Sequence, residues 1–422
     1  MTKKYRLAVV TTNPIQYQAP LWRKLAESRA IDPTVFFVSR RGSEARLDPD
    51  FGQEFAWDVP LLDGYAYEFL PSFSLPGVSA DKKTRWGPTG ALVPTALTKR
   101  LAATPFDGVL IQGYASGAAW AGTVAAWRTG IPVIVRGESH DRGRTRSWWQ
   151  TARREVVSRW MRHVDMVIAI GALNRDMWRG MGIPDERILL SPYAVDNERF
   201  VRTLVQQPDR AAELRRSWDA GPDDVVFLFA GKLTTVKSPE VLLTAFASLP
   251  PEARAHLVFV GSGPLDASLR SMQEAAGPEV SERVHWAGFV NQHDIAHYYH
   301  AADVMVLPSR IEPWGLVVNE ALACGTPCIV SDMVGSGPDL VEAFRAGTVF
   351  PAGDAAALGR CLETALDVER RRQWSSRIDQ FRQHVSLDGN VDAITEALEI
   401  VSRKRSLRTV PVTHSARQET TW

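Results

Sequence analysis

Two glutamates in the segment RIEPWGLVVNEALACGTP, residues 310–327, have a type and spacing that point to chemistry. Seven residues separate Glu312 from Glu320, and Glu320 stands inside an apolar run that begins at Leu316. A buried carboxylate is costly unless hydrogen-bond donors surround it. The segment therefore predicts that either a protein group or a hydroxyl-rich ligand donates hydrogen bonds to Glu320.

Two lysines form a second candidate group. Lys232 follows Gly231 at the end of a predicted strand, and Lys237 comes five residues later, before Ser238 and Pro239. Serine at a helix N-cap and proline at the first helical position are favourable, so Lys237 is predicted beside a helix N-terminus. Two ammonium groups and the positive end of a helix make a site suited to phosphate. The alternative is two solvated lysines on a surface turn.

A second helix N-terminus is predicted next to Glu312. The helix should run from Leu316 to Cys324, because residues typical of helix ends flank it: Pro313, Trp314 and Gly315 before it, and Gly325 after it. Its first backbone N–H groups could also face a phosphate. In that arrangement Glu312 and Glu320 would contact hydroxyl groups on either side of a diphosphate. A carboxylate on the helix dipole and a partly exposed helix face are the simpler alternatives.

Two series of short apolar segments must position these residues. They alternate with helix-length segments, and their length and β-branched content are typical of buried parallel strands. The first series lies at 6–10, 34–38, 108–112, 132–136 and 166–170, and the second at 225–231, 256–263, 283–288, 303–308 and 327–332. The order predicts an α/β protein with two Rossmann-like, doubly wound domains.

The predicted organisation has four parts: a first domain at 1–196, a second at 197–385, a C-terminal helix at 386–401 and a disordered tail at 402–422. The tail is polar and basic and has no apolar periodicity. The longest irregular stretch runs from Ser39 to Thr95. A loop of this length is as consistent with a functional segment as with a surface insertion.

The composition excludes several classes of protein. At 45% hydrophobic and 23% charged residues the 422-residue chain is typical of globular proteins, and a net charge of +1 predicts no nucleic-acid partner. Three cysteines, Cys324, Cys328 and Cys361, form neither a disulfide framework nor a metal spacing. The N-terminus lacks a signal-peptide pattern, and no apolar run reaches the ~18 residues of a membrane span. We expect a cytoplasmic protein, with peripheral contact to the cytoplasmic membrane face left open.

The chain resembles the retaining glycosyltransferases of family 4, which have the GT-B fold. The resemblance rests on the Glu-x7-Glu motif from Glu312 to Glu320 and on blocks such as AGKLTTVKSPEVLLTAF, LVFVGSGPL, VHWAGFV and YYHAADVMVLPS. It is close over residues 160–365 and loose before them. It implies a cleft between the two domains, a C-terminal helix that crosses back to the first domain, and transfer of a sugar from a nucleotide diphosphate sugar to an acceptor hydroxyl. A GT-B phosphorylase and a non-catalytic nucleotide-sugar-binding protein are the alternatives.

The resemblance also implies roles for the matching residues. Glu312 would bind hydroxyls of the donor sugar and Glu320 the ribose. Lys232 and Lys237 would neutralise the diphosphate, so that neither a metal nor another cofactor is required. The other residues expected on the donor side are Gly231, Phe289, Val290, Trp314, Gly315 and Leu316, with Phe289 and Val290 at the base pocket.

Two positions depart from the family pattern. Members usually carry arginine at the position of Lys232, so a point charge replaces a planar, bidentate contact. The Gly-Gly loop after the first strand is absent, and the sequence there is TTNPIQYQAP. Asn13 and Gln16 are the candidates to replace its phosphate contact, and the acceptor is expected near Asn13, Gln16 and Tyr17.

His140 ends the segment IPVIVRGESHD, at a position where family members often place a histidine against the donor sugar. A structural histidine at a strand end is the alternative. The same segment resembles the nucleophile elbow of serine hydrolases, with Ser139 as nucleophile, but Asp141 replaces the second glycine of that motif.

Two other patterns allow weaker predictions. Asp48 and Asp50 form a D-x-D tripeptide of the kind that holds a metal in the other glycosyltransferase fold, but such a tripeptide is expected by chance in a chain of this length. The segment Arg142–His163 is basic on one face and contains three tryptophans. It could lie on an anionic membrane. The favoured prediction is a helix that packs Trp149, Val156 and Trp160 on the sheet and exposes its arginines.

Overall fold

The computed structural model describes residues 4–40, 42–43, 46–48, 53–73, 91–92, 94–114, 116–143, 147–250 and 252–409. These residues contain two parallel sheets, one in each half of the chain, with helices packed on both. The predicted α/β class with two doubly wound sheets is confirmed.

The first sheet belongs to residues 5–190. In chain order the strands of this half are β1 (Tyr5–Thr11), β2 (Ile31–Phe37), β3 (Arg46–Asp48), β4 (Gln53–Phe55), β5 (Ala66–Phe69), β6 (Ser72–Phe73), β7 (Ala91–Leu92), β8 (Gly108–Gln112), β9 (Val133–Arg136), β10 (Met166–Ala169) and β11 (Ile188–Leu190). The parallel sheet has the order β11-β10-β9-β8-β1-β2-β5, and β3–β4 and β6–β7 form two small antiparallel pairs. The helices are α1 (Ala19–Glu27), α2 (Pro94–Ala103), α3 (Gly117–Thr129), α4 (Trp148–Met161) and α5 (Ala172–Gly180).

The second sheet has the order β14-β13-β12-β15-β16-β17. In chain order this half contains α6 (Asn197–Gln206), α7 (Arg210–Ser217), β12 (Val225–Ala230), α8 (Pro239–Ala247), β13 (Ala255–Val260), α9 (Asp266–Ala275), α10 (Pro278–Ser281), β14 (Val284–Gly288), α11 (Ile295–Ala301), β15 (Val304–Leu307), α12 (Leu316–Ala323), β16 (Cys328–Ser331), a π-helical turn at Gly337–Glu342, β17 (Gly347–Phe350), α13 (Ala355–Leu366), α14 (Val368–Ser375), α15 (Ile378–His384) and α16 (Leu387–Thr409). The predicted boundary between residues 196 and 197 falls between β11 and α6.

All ten predicted strands are present, with ends that differ by a few residues. Three strands of the parallel sheets were not predicted: β5, β11 and β17. The interior strands β12 and β13 of the second sheet are fully buried, which explains their continuous apolar sequences. The strand β5 lies at the edge of its sheet and is partly exposed, so its sequence carries no comparable apolar run.

The C-terminal helix α16 packs on the first sheet. Ile394, Ala397 and Leu398 are buried in the same core as residues of β1 and α1. A Cβ atom on Gly108 of β8 would lie 2.7 Å from Leu398, so glycine makes this close packing feasible. The helix continues to Thr409, so the prediction that disorder begins at residue 402 is wrong for 402–409. Residues 410–422 lie outside the described part of the chain.

Helix α4 does not pack in the predicted way. Trp149 and Val156, expected on the sheet, are exposed by 52% and 56%. Trp160 of the predicted stripe packs inward, with its ring 3.9 Å from that of Trp120 on α3. Val157 and Met161 form the buried side instead. The helix therefore carries exposed apolar residues as well as exposed arginines.

Candidate active site

The loops after β12 and β15 meet because these strands are neighbours in the second sheet. The backbone N–H of Arg310 donates to the carbonyl oxygen of Val236 at 2.8 Å and ties the two loops together. This contact places the ammonium group of Lys237 in an ion pair with the carboxylate of Glu312. The two predicted residues, 75 positions apart in sequence, are thus brought together at the carboxyl edge of the sheet, where α/β proteins commonly bind ligands.

Glu312 is held from two sides. Its side chain is near Ser309, whose hydroxyl lies 3.5 Å from Oε2, and the residue is only 8% exposed. Its carbonyl oxygen accepts from the N–H of Gly335 at 2.9 Å and from Nε2 of His140 at 3.1 Å. A Cβ on Gly335 would lie 2.0 Å from the carbonyl oxygen of Pro313, so only glycine permits this approach. His140 belongs to the first domain, and the contact therefore joins the two sides of the cleft.

The loop at Glu312 leads directly into α12. Gly315 has φ of +90°, in the region that favours glycine, and it precedes the first helical residue Leu316. The predicted helix and its end at Gly325 are confirmed. Because the first N–H groups of a helix have no partner within it, the backbone at Gly315 and Leu316 is a suitable place for an anion.

Trp314 is 2% exposed and does not present its ring to the cleft. Its indole N–H donates to Asn319 at 2.8 Å, and its ring packs edge-on against Tyr193. The side chain positions the Glu312–Gly315 loop. With its ring buried, Trp314 would contribute to the expected donor side through its backbone.

Lys232 follows Gly231 at the end of β12 and is partly buried. The loop after β13 runs close beside it, because a Cβ on Gly261 would lie 1.9 Å from the carbonyl oxygen of Gly231. Gly263 makes a similar approach to the backbone of Leu233. These glycines therefore have a packing role, which accounts for the dinucleotide-like appearance of GSGP.

The start of α8 differs in detail from its prediction. Pro239 is the first residue of the helix, as expected, but the Ser238 side chain makes no capping hydrogen bond. Its hydroxyl donates to the carbonyl oxygen of Thr235 at 3.1 Å and accepts from Nε of Arg310 at 3.1 Å. Ser238 joins the two loops of the site instead of capping the helix, and Lys237 still stands two residues before α8.

Glu320 is 8% exposed and has two protein donors. The Tyr299 hydroxyl donates to Oε2 at 2.8 Å, and the Gln292 amide lies 3.4 Å from Oε1. Burial raises the pKa of the Glu320 carboxyl, and the hydrogen bond from Tyr299 and the charge of Arg199 oppose that rise. Of the two predicted sources of hydrogen bonds to this carboxylate, the protein itself is therefore one. A carboxylate has about four acceptor positions, so a ribose hydroxyl could still add a bond.

Phe289 and Val290 follow the edge strand β14 and are partly buried. The next segment is fixed by Arg199 of α6, whose guanidinium donates to the carbonyl oxygen and to the side chain of Gln292 at 2.8 and 2.7 Å. The same Gln292 reaches Glu320. The predicted base-pocket segment and the predicted ribose residue are thus connected through one glutamine.

The first domain contributes a partly buried polar cluster that the sequence analysis missed. Glu138 accepts a hydrogen bond from the Tyr17 hydroxyl at 2.7 Å, and Tyr193 lies near the same carboxylate. The Gln112 amide donates to the Tyr193 hydroxyl at 2.8 Å. Burial raises the pKa of both tyrosines well above its ordinary value, and the nearby Glu138 raises it further. Glu138 stands two residues before His140, which was the available indication in the sequence.

Arg136 supports this cluster from β9. Its guanidinium lies 4.3 Å from the centre of the Tyr193 ring and donates to Asn390 of α16 at 2.7 Å. Burial lowers the pKa of Arg136. Asn390 in turn donates to the carbonyl oxygen of Pro192 at 2.7 Å. The linker at 191–196 and the start of the crossing helix are therefore joined beside Tyr17.

The other two predicted acceptor-side residues lie in the loop after β1. The Asn13 amide donates to the carbonyl oxygen of Pro14 at 3.2 Å and its Oδ1 accepts from Thr12. Gln16 is partly buried. Of the three residues, Tyr17 is the one that the structure connects to the His140 loop.

A carboxylate from the second domain caps a helix of the first. Asp339 accepts from the N–H of Ala172, the first residue of α5, at 3.1 and 2.9 Å. Burial raises the pKa of Asp339, and this backbone bond opposes the rise. A Cβ on Gly171 would lie 2.5 Å from the Trp314 ring, so glycine permits the two domains to meet here.

The two weaker site patterns concern Ser139 and the D-x-D tripeptide. The Ser139 hydroxyl donates to the carbonyl oxygen of its neighbour Glu138, and the next helix begins at Trp148, so the strand–turn–helix geometry of a nucleophile elbow is not formed. Asp48 ends β3 and Asp50 lies outside the described residues. Within the described ranges, no group of three or more His, Cys, Asp or Glu side chains is placed to hold a metal.

A sequence model of the family described as "Glycosyl transferases group 1" matches residues 211–380, and a model of the "Glycosyl transferase 4-like domain" matches residues 14–194. The chain belongs to the group 1 glycosyltransferases. The two matched ranges lie on either side of the cleft, and the range 211–380 contains Lys232, Lys237, Glu312 and Glu320.

Relatives of this group 1 glycosyltransferase include two curated proteins named D-inositol 3-phosphate glycosyltransferase. The one from Geodermatophilus obscurus is 31% identical over 243 residues, which cover 55% of this chain and 52% of the relative. The one from Saccharomonospora viridis is 34% identical over 225 residues, or 50% of each chain. The chain thus spans about half the length of the curated relatives it matches.

Solved structures of other glycosyltransferases share the fold. HepE from Anabaena, in complex with UDP-glucose, superposes with a TM-score of 0.67 and 15% identity over 95% of this chain and 99% of that chain. A glycosyltransferase from Rickettsia africae gives a TM-score of 0.69 and 13% identity, over 94% and 98%. The GT-B fold expected from the resemblance is confirmed.

Proposed function

We propose that this group 1 glycosyltransferase transfers a sugar from a nucleotide diphosphate sugar to a hydroxyl group of an acceptor, with retention of anomeric configuration. The ion pair between Lys237 and Glu312 is the observation that supports this most directly. It joins a cation suited to phosphate with a carboxylate suited to sugar hydroxyls, at the start of α12. HepE, on the same fold, is described with UDP-glucose bound.

The chemistry required of the protein is stabilisation of negative charge on the departing diphosphate. Lys232, Lys237 and the N-terminal end of α12 would supply it without a metal. In the front-face mechanism proposed for retaining members of the family, the leaving phosphate accepts the proton of the acceptor hydroxyl. A dedicated base is then unnecessary.

Glu312 would orient the donor sugar, and bound donor would compete with Glu312 for Lys237. Lys237 would then exchange a carboxylate partner for a phosphate partner as the donor enters. His140 would contact the donor sugar from the first domain, where it already reaches the backbone of Glu312. Phe289 and Val290 would line the base pocket, and Glu320 would add a ribose contact to its two protein bonds.

The acceptor would enter from the first-domain side, next to Tyr17 and Glu138. Partly buried hydroxyl and carboxylate groups suit an acceptor rich in hydroxyl groups. The relatives named for D-inositol 3-phosphate make a phosphorylated cyclitol one acceptor to test. A cytoplasmic location is part of the same proposal. Among the described residues, no helix has the length and apolar character needed to cross a bilayer.

The test is a thermal-shift screen of nucleotide diphosphates and their sugars, beginning with UDP and UDP-glucose, followed by a nucleotide-release assay with candidate acceptors. A donor that binds the folded state raises its melting temperature. Product NMR then reports the anomeric configuration. Binding without release or transfer would support the non-catalytic alternative, and turnover that requires inorganic phosphate in place of a nucleotide would support the phosphorylase. An inverted product would contradict retention.

A further inference from the structure

An apolar ridge runs along the solvent-facing side of α4. Trp148, Trp149 and Val156 are exposed by 66%, 52% and 56%, and Ala152 between them is exposed as well. At 3.6 residues per turn these four positions fall within about 100° of the helix circumference. The two indole rings stack on each other at 3.5 Å. The ridge is therefore one continuous strip on the protein surface.

Exposed tryptophans in this arrangement call for a partner. Single exposed apolar residues are common, but a contiguous strip with two large aromatic rings is typical of an interaction surface. Tryptophan is also enriched at membrane–water interfaces, where its ring is half apolar and half polar. The helix itself is well anchored by Val157 and Met161 on its buried side, so the strip is held in place.

The charge around the ridge is strongly positive. The segment 142–163 contains seven arginines and one glutamate, a formal charge of +6. The whole chain has a net charge of +1, so all other residues together carry −5. On α4 and at its end the side chains of Arg159 and Arg162 are 72% and 46% exposed. Exposed arginines thus stand on the surface that also exposes the tryptophans, where Arg159 and Arg162 both pair with Glu155.

The end of α16 extends this basic surface. A cavity of about 420 Å³ at the C-terminal end of α4 is lined by residues from three separate segments. The basic ones are Arg162, His163, Arg187 and Lys404. The carboxylate of Asp165, also in the lining, accepts from the N–H of Val133 at 2.9 Å. Lys404 is 242 residues from Arg162, so only the tertiary structure places it here.

We propose that the outer face of α4 and the basic end of α16 dock the protein on an anionic phospholipid surface. The indoles of Trp148 and Trp149 would lie at the headgroup level, with Val156 beside them, and the arginines and Lys404 would contact lipid phosphates. A helix with an apolar strip bordered by arginines has the composition of an interfacial helix.

The position of α4 relates this surface to the cleft. The helix follows the loop that contains His140 and Arg142, and Arg142 donates to the carbonyl oxygen of Asp332 in the second domain at 3.0 Å. The amino-terminal end of α4, with Trp148 and Trp149, would thus meet the membrane near the cleft, and the basic cavity at Lys404 would meet it at the other end of the helix. Resting on the proposed function, this indicates an acceptor hydroxyl carried by a membrane-anchored molecule.

Two other occupants fit this surface less well. A symmetric dimer through this face would bring two +6 segments together, which is unfavourable. A nucleic acid would use the arginines but leaves the apolar strip of Ala152 and Val156 without a role. An anionic bilayer is the partner that satisfies both the charge and the apolar strip.

The experiment is flotation of the full-length protein with vesicles of pure phosphatidylcholine and with vesicles that also contain phosphatidylglycerol. We expect binding only to the anionic vesicles, and its loss at high salt. The double variant Trp148→Ser/Trp149→Ser should bind at least about tenfold more weakly. In Arg153→Glu/Lys404→Glu each removed positive charge should weaken binding about fivefold. The matched control Val205→Ser/Arg360→Glu changes exposed residues of the second domain and should bind normally.

All variants are also checked by melting temperature and by the UDP-glucose thermal shift, which do not depend on lipid. No flotation with anionic vesicles, or flotation that survives both double substitutions, would overturn the proposal. Binding to an oligonucleotide that depends on the arginines but not on the tryptophans, without vesicle binding, would reassign the surface to nucleic acid. Normal flotation with no nucleotide-sugar binding would contradict the proposed function alone.

Discussion

On the second-domain side of the cleft the candidate residues are charged and stand at the ends of neighbouring strands and helices, as Lys237 and Glu312 do. On the first-domain side the central carboxylate, Glu138, is surrounded by tyrosine hydroxyls from segments 121 and 55 residues away. In the proposed function, one side would hold an anion and the other would exchange hydrogen bonds with hydroxyl groups. The donor and the acceptor of a glycosyl transfer need these two environments.

This difference also separates two glutamates of the same motif. Glu312 pairs with a lysine that is 25% exposed, next to the cleft. Glu320 lies further along α12, bonded to Tyr299 and Gln292. The same side-chain chemistry at two positions of one motif therefore does not mean the same role. Glu312 is placed to act on a ligand, whereas Glu320 has at least a structural task.

The largest effect on catalysis is expected from the two lysines on the second-domain side of the cleft. Lys237→Ala and Lys232→Ala should each lower kcat/KM on the order of 10²-fold, because each removes a positive group from the developing charge on the diphosphate. The measurement is steady-state nucleotide release with the identified donor. Lys99→Ala, at an exposed position of α2, is the matched control. Near-wild-type kinetics in both variants would show that the lysines are ordinary surface residues.

The second prediction distinguishes Glu320 from Glu312 by how much each substitution lowers the stability of the fold. Glu320→Ala should lower the free energy of unfolding by about 1–3 kcal/mol, because Tyr299 and Gln292 lose a buried acceptor. Glu320→Gln keeps an acceptor and should lose much less. Thermal unfolding without ligand is the measurement, and Glu312→Gln serves for comparison. If Glu320→Ala unfolds at the same temperature as the wild type but no longer binds donor, the role of Glu320 is only to bind ligand.

The melting temperature of Glu320→Gln as a function of pH also tests the structural role of Glu320. Burial raises the pKa of Glu320 in the folded protein above its value of about 4.3 in the unfolded chain. The contribution of this shift to folding stability is therefore complete below the unfolded-state pKa. It is lost as the pH rises through the folded-state pKa. Glutamine does not ionise. The melting temperature of the variant should therefore improve relative to the wild type on going from acidic to neutral pH. A difference that is constant with pH would contradict the shift.

A smaller effect on turnover is expected from the tyrosine hydroxyl on the first-domain side of the cleft. Tyr17→Phe removes one hydrogen bond to the Glu138 carboxylate, and such bonds contribute about 1.5–3 kcal/mol. Turnover should fall about tenfold or more, while the Kd of the donor, measured by calorimetry, should not change. Tyr298→Phe, in the second domain and packed against Trp218, is the control. A weaker donor affinity in Tyr17→Phe would show that the two sides are not separate in function.

The smallest effect should come from removal of metal. If lysines and helix ends balance the diphosphate, initial rates should survive chelation, and Asp48→Asn with Asp50→Asn should be nearly silent. The measurement compares chelator-treated enzyme with and without added Mg²⁺ or Mn²⁺. Activity that disappears on chelation and returns only with metal would overturn the roles of Lys232 and Lys237.

The two sheets and most of the second-domain side of the cleft, with its two lysines, could be predicted from the sequence. Fully buried parallel strands require apolar runs, and the order of these runs predicts two doubly wound units. Glycine and proline mark the helix starts at Gly315 and Pro239 because backbone conformation limits those positions to few residues. Such requirements are local, and a short segment is sufficient to express them.

The surroundings of each polar group could not be predicted, because they depend on tertiary packing. That Tyr299 satisfies Glu320, that Asp339 caps α5 and that Lys404 lies beside Arg162 all depend on segments far apart in the chain. The exposed side of α4 is another case, because a helix whose apolar residues cover more than half of its circumference does not reveal which of them the protein covers. Hydrogen bonding and burial depend on which surfaces meet, and that is fixed only when the two domains and the crossing helix pack together.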